Sequence, residues 1–137
     1  MRTLKLMLLL AALAIAGNVG YGQDTAKYSP PNIYIGSNIN SGKHTKESLL
    51  VNPFISIQSK DSTKWNIVSY RVVFVRQIGG SGVEDAPITV IGANFSEEVI
   101  AKIQSAKSGT IIEFSDIKIQ SIVGIRIFFN PIMIRIQ

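Results

Sequence analysis

The chain contains no cysteine in its 137 residues. That excludes a disulfide framework, a cysteine nucleophile and a lipidated N-terminal cysteine, so packing alone must carry stability. It contains a single histidine, His44. A lone histidine without cysteine cannot build a typical zinc site, and His44 sits in a polar stretch where a solvated side chain is expected. No serine stands in a Gly-x-Ser-x-Gly context. Dense positive charge is missing as well. Lys43, Lys46, Lys60, Lys64, Arg71, Arg76, Lys102 and Lys107 are scattered and never form a run of three. Nucleic-acid binding needs a dense basic face that displaces counterions, so the charge pattern argues against that class. No apolar run reaches the roughly 20 residues that a membrane span requires.

What is present begins with an export pattern. Arg2 and Lys5 form a positive start, Leu6 to Ala16 is uninterrupted apolar sequence, and Gly20-Tyr21-Gly22 offers small residues at the −3 and −1 positions. Residues 1–22 are expected to be a signal peptide cleaved before Gln23. Removing 22 of the 137 residues leaves 115, with 12 Lys and Arg against 9 Asp and Glu. That is enough chain for one domain with its own core. Gln23 to Asn32, with Pro30-Pro31, reads as a polar leader. Residues 33–137 read as a single domain. The expected location is the periplasm or cell envelope, or the exterior.

The rest of the chain is rich in β signals. Ile33-Tyr34-Ile35 is a short β run, and Gly36 to Lys46 (GSNINSGKHTK) reads as a loop. Leu49-Leu50-Val51 and Phe54 to Gln58 read as strand segments split by Asn52-Pro53. Trp65 to Ile78 is the longest strand signal. Val68, Tyr70, Val72 and Phe74 share one fully apolar face; Ile67, Ser69, Arg71, Val73 and Val75 share a mixed one. Gly79 to Gly82 reads as a turn and Ile88 to Ile91 as a short strand. The period then changes. Val99, Ile100, Ile103 and Ala106 recur at helical spacing. Ser96 is the expected N-cap, with Asn94 as competitor, and Glu97 and Glu98 fall where the helix dipole favours negative charge. Lys107 and Gly109 mark the far end, giving a helix over 96–108. Three β runs follow, at Thr110 to Gln120, Ile122 to Phe129 and Ile132 to Gln137. Seven or eight short strands with one short helix predict a mainly β fold, an immunoglobulin-like sandwich in general architecture. Proline cannot donate to a sheet ladder, so Asn52-Pro53 and Asn130-Pro131 are expected at or near edges.

Reactive constellations do not emerge from this pattern. Gly36 to Lys43 has five residues between its glycines where a phosphate-binding loop has four, and His44 follows Lys43 where Ser or Thr should stand. Glu84-Asp85 lacks the spaced oxygen ligands of a calcium loop. Glu113 and Asp116 flank a strand without the marks of an acid–base pair. No catalytic residue, metal ligand or cofactor is therefore expected. A secreted small-ligand carrier, or an enzyme with an unrecognised site, is the alternative to a binding module. Recognition usually sits on loops of a rigid scaffold. Lys43, His44 and Lys46, in the loop from Gly36 to Lys46, are the expected rim contacts for a partner. Gly79 to Ala86 is expected to flank the same end.

The order of strand, Gly-rich turn, short strand, capped helix, Gly109, strand and final Pro-Ile strand resembles the C-terminal domain of the Bacteroidetes gliding-motility protein GldM. The residues that carry the resemblance are Val68-Ser69-Tyr70-Arg71-Val72, the Phe95-Ser96 helix start, Ile103 to Gly109, Ile112-Glu113-Phe114, Asp116-Ile117-Lys118, and Asn130-Pro131-Ile132-Met133-Ile134. Pro31 to Gly36 and Gly42 to Leu50 fit the upstream part, so the likeness spans about residues 30–137. Gln120 to Arg126 (QSIVGIR) keeps only Gly124 of the family's Gly-Pro-Asp-Gly-like turn. The family's inner-membrane anchor and preceding periplasmic domains have no counterpart, and a stand-alone exported form is expected. The resemblance implies a non-enzymatic protein–protein interaction module. In GldM-like proteins this module faces outer-membrane partners of the gliding and type IX secretion machinery.

Overall fold

The computed structural model describes residues 29–137; the expected signal peptide and the leader up to residue 28 lie outside it. Within the unit formed by residues 31–137, the elements in chain order are β1 (Asn32–Ile35), β2 (Gly42–His44), α1 (Lys46–Val51), β3 (Ile55–Gln58), β4 (Trp65–Ile78), β5 (Ser81–Glu84), β6 (Ile88–Ile91), α2 (Glu97–Ser105), β7 (Ile111–Ser121), β8 (Arg126–Phe129) and β9 (Ile132–Ile136). The fold is mainly β and sandwich-like, as the sequence pattern predicts. The described residues hold nine strands and two helices, more of each than expected.

One sheet runs in the order β2-β9-β7-β4-β5, with β6 also on β4 and β8 also on β7. The pairs are antiparallel except β2 with β9, which is parallel. β5 and β6 follow one another along the flank of β4 opposite β7, on Val75–Ile78 and Ser69–Val72. β8 and β9 do the same along β7. The sheet is thus four long strands, two of them broken, with β2 added outside β9. The breaks fall at Asp85-Ala86-Pro87 and Asn130-Pro131, where proline cannot join a ladder. A second sheet is the antiparallel ribbon β1-β3. Ile55 N donates to Ala93 O and Phe95 N to Pro53 O, which tie β3 to the segment after β6.

The longest strand matches its sequence signal at both ends. Tyr70, Val72 and Phe74 are buried, facing Ile112 and Phe114 of β7. Strict alternation does not hold along its whole length, however. The register shifts between Ile67 and Ser69 and again between Ser69 and Arg71. Ile67 therefore pairs with fully buried Ile119 rather than sharing a face with Ser69 and Arg71. On β7 the compensating irregularity contains Asp116, at φ 48°, so Ile112 and Phe114 before it and Ile117 and Ile119 after it are all buried. A bulge in each strand lets both change parity while the apolar face stays inward.

Four local expectations are corrected. Leu49-Leu50-Val51 is helical, not a strand. Thr45 caps α1 by accepting from Ser48 N at 3.2 Å, and Glu47 lies in its first turn. Leu49 is buried while Val51 is 72% exposed, the one-sided burial of a single helical turn. Three apolar residues cannot reveal their period, so this cap was the better guide. The second helix starts as expected, with Ser96 Oγ accepting from Val99 N at 3.3 Å, but ends at Ser105 rather than Ser108. Ala106 is extended at φ −66°, ψ 137°, and its N–H returns to Ile103 O. Gly109, at φ 90°, instead opens β7, its N–H donating to Ile136 O. Finally, Ile122 to Ile125 is a hairpin turn rather than strand, and β8 begins only at Arg126. Part of the expected Gly79–Gly82 turn is strand. Gly79 and Gly80, at φ 57° and 81°, make a two-residue turn that pairs Ile78 with Ser81; glycine reaches such angles without a Cβ penalty.

The helix α2 buries Val99 and Ile103 completely, each worth roughly 1.5–3 kcal/mol relative to exposure. Just before it, Phe95 stacks on Phe114 with ring centroids 5.6 Å apart. Tyr70 is 6.3 Å from the same ring and donates its hydroxyl towards Ala93 O and Asn94 O at 3.3 and 3.2 Å. Burial pushes the Tyr70 phenol well above its usual range. These aromatics anchor the β6–α2 connection on the sheet.

Candidate functional site

The three loop residues expected at a partner rim do not share one surface. Lys43 lies in β2 opposite Arg135 and lines a shallow recess with Ser108 and Gln137. His44 follows it on the strand, so its side chain points to the other side. Its Nε2 is 2.9 Å from Asn40 O, and it lines a separate recess with Gly36 and Asn52. Lys46 Nζ donates to Gln104 O at 3.0 Å, linking the start of α1 to the end of α2. The Gly79-Gly80 turn is at the same end of the sheet as β2, since Lys43, Arg135, Ile111, Val75 and Glu84 form one cross-strand row. It is at the opposite edge, four strand spacings or roughly 19 Å away.

A different surface concentrates apolar exposure. The β7–β8 turn is closed by Ser121 N to Ile125 O at 2.8 Å, Gly124 N to Ser121 O at 3.0 Å and Ile125 N to Ser121 Oγ at 3.0 Å. These bonds use the polar groups of the turn and leave its side chains outside. Ile122 is 75% exposed and Val123 61%. On β8, Phe128 is 67% exposed and pairs with Lys118 on the outer face, while Ile127 and Phe129 lie opposite buried Ile119 and Ile117. Scattered exposed apolar residues are ordinary, but a contiguous group marks an interaction surface.

The backbone at this place is also open. β8 pairs with β7 and, among the described residues, with no strand on its other side. The Ser121–Ile125 bond sets the antiparallel alternation, so the N–H and C=O of Arg126 and Phe128 point away from β7. Asn130-Pro131 limits this edge to one short strand, a guard against indiscriminate pairing. Arg126 on β8 and Lys118, cross-strand from Phe128, lie at this edge, and neither is in an ion pair among the described residues; the pairs formed are Arg71–Asp116, Arg76–Asp85 and Lys102–Asp85. The sequence signal was the apolar string IVGIRIFF, but it reads equally as a buried strand.

A more polar cleft lies where α2 ends, lined by residues of β4, Asp85 and the segment from Ser105 to Thr110. Among the described residues, no group of three His, Asp or Glu side chains is placed to hold a metal ion. No helix there is long and apolar enough to cross a membrane. No protein-family model matches the chain, and no curated protein matches it in sequence.

Proposed function

We propose that this chain is a non-enzymatic protein–protein interaction module of the bacterial cell envelope, which receives an extended, acidic segment of a partner protein along the free edge of β8. The observation that carries the reading is the coincidence of unpaired backbone at Arg126 and Phe128 with exposed Ile122, Val123 and Phe128. Strand addition draws affinity from backbone hydrogen bonds and specificity from alternate side chains. The cations Lys118 and Arg126, in no ion pair among the described residues, favour acidic residues in the added segment. The resemblance to the terminal domain of GldM supports a partner among the proteins of the gliding or type IX secretion machinery. The export pattern of residues 1–22 is consistent with an envelope location.

The test is site-specific photo-crosslinking from position 122 in envelope extract, with Lys60 as a control position. Mass spectrometry identifies the captured peptide. An extended acidic segment of an envelope protein is expected, with its yield cut by Phe128→Pro, which removes an outward N–H, and by Arg126→Glu. The same yield with both variants, capture of a second copy of this chain, or capture equal to that at Lys60 refutes the reading.

A further inference from the structure

The cleft at the end of α2 has a volume of about 430 Å³, within the range of small-molecule sites. Its charge is mainly positive, with Arg76, Lys102 and Lys107 lining it against one carboxylate, Asp85. Asp85 is placed by its own backbone, whose N–H donates to Phe74 O at 2.9 Å. Its Oδ1 accepts from Arg76 Nε at 2.9 Å, and its Oδ2 is 3.7 Å from Lys102 Nζ. Arg76 is held through Nε alone, which leaves the terminal nitrogens of its guanidinium for a second acceptor. Lys102 Nζ also sits 5.4 Å from the centroid of the Phe74 ring. Two cations are thus oriented before any ligand arrives, which lowers the ordering cost of binding. Lys107 has no side-chain bond or ion pair among the described residues.

Two features restrict the charge of the ligand. The carbonyl end of α2 closes one wall and carries a partial negative charge, offset in part by Lys46 Nζ on Gln104 O. Asp85 adds a full one. Both repel a phosphate dianion more strongly than a carboxylate. Ser108 and Thr110 bring hydroxyl groups to the same wall, suited to partners that both donate and accept hydrogen bonds. We infer that this cleft binds a small hydroxylated carboxylate, of the chemical class of sugar acids. The carboxylate lies between Arg76 and Lys107, and ligand hydroxyls reach Ser108 and Thr110. The cleft shares no residue with the β8 edge, so this inference stands apart from the partner reading.

The test is an amide-shift titration of the isotope-labelled full chain with glucuronate, glucose and inorganic phosphate. Glucuronate is expected to give saturable shifts at Lys107, Ser108 and Thr110. Phosphate is expected to bind about tenfold more weakly and glucose not to saturate. Lys107→Gln, with an unchanged thermal midpoint, is expected to weaken glucuronate about tenfold, the effect of losing one charge-assisted bond. The inference fails if glucuronate does not saturate, if glucose or phosphate binds as well, or if Lys107→Gln leaves its affinity unchanged.

Discussion

Trp65 begins the longest strand and its indole Nε1 is buried without a hydrogen-bond partner among the described residues. A buried donor left unmade costs roughly 1–3 kcal/mol, and trimming the ring leaves a small void costing roughly 1 kcal/mol. The opposing terms predict that Trp65→Phe changes stability by about 1 kcal/mol or less. Phe114→Ala, in the middle of the core, is expected to cost about 3–5 kcal/mol. Urea unfolding of both variants checks the contrast. Asp116 is the other special residue, the one non-glycine residue with positive φ among those described. Aspartate tolerates this region, whereas a β-branched side chain does not. Asp116→Val is expected to lower stability by about 1–3 kcal/mol. Asp116→Gly should stay near wild type, because relief of strain offsets loss of the exposed 3.1 Å pair with Arg71. Equal losses in both variants would show that the ion pair, not the backbone angle, matters.

At the scale of elements, α2 and its cap were legible because several independent signals agree. Ser96, the acidic first turn and the 3.6-residue apolar period all point to one helix. Ile103 is fully buried, so Ile103→Asp places an unpaired charge in the core and is expected to cost more than about 4 kcal/mol, or prevent folding. Loss of the thermal transition checks this. Helix α1 was not legible, because its single turn has one buried residue and no period to read. Tyr70 couples two elements and adds pH dependence. Its folded pKa is raised by burial, so the neutral phenol is the form the fold favours. That contribution is fully present below the unfolded value near 10 and is lost as pH rises beyond it. The alkaline fall in stability is expected to be steeper in the wild type than in Tyr70→Phe, measured by denaturant unfolding from pH 8 to 11. Parallel curves would remove Tyr70 from the alkaline transition.

At the scale of the whole unit formed by residues 31–137, the two borders of the main sheet differ. On one side β5 and β6 follow β4; on the other, β2 extends β9, while β8 has no further neighbour among the described residues. Ile91, 79% exposed on β6, is isolated from the apolar hairpin tip by the width of the sheet. Replacing Ile122 and Val123 by Ser is therefore expected to leave the unfolding midpoint nearly unchanged while abolishing partner crosslinking from a probe at Phe128. A fall in stability of more than about 1 kcal/mol, beyond the usual range for surface substitutions, would assign those side chains to the fold instead.

Periodicity and turn chemistry, which act within a few residues, were enough to settle the mainly β class, the extent of β4 and the capped start of α2. Long-range pairing lay beyond them. The parallel placement of β2 beside β9, the paired bulges that move Ile67 inward, and the collinear broken strands all depend on which strand lies alongside. The same limit applies to the surfaces. In Ile122 to Phe129 all residues but Gly124 and Arg126 are apolar, and only the turn and the register with β7 decide which of them face outward. Arg76 and Asp85 meet across the β4–β5 hairpin, and Lys102 joins them only because α2 sets its side chain beside Phe74 and Asp85. Side-chain identity is local, but burial and proximity are properties of the folded chain.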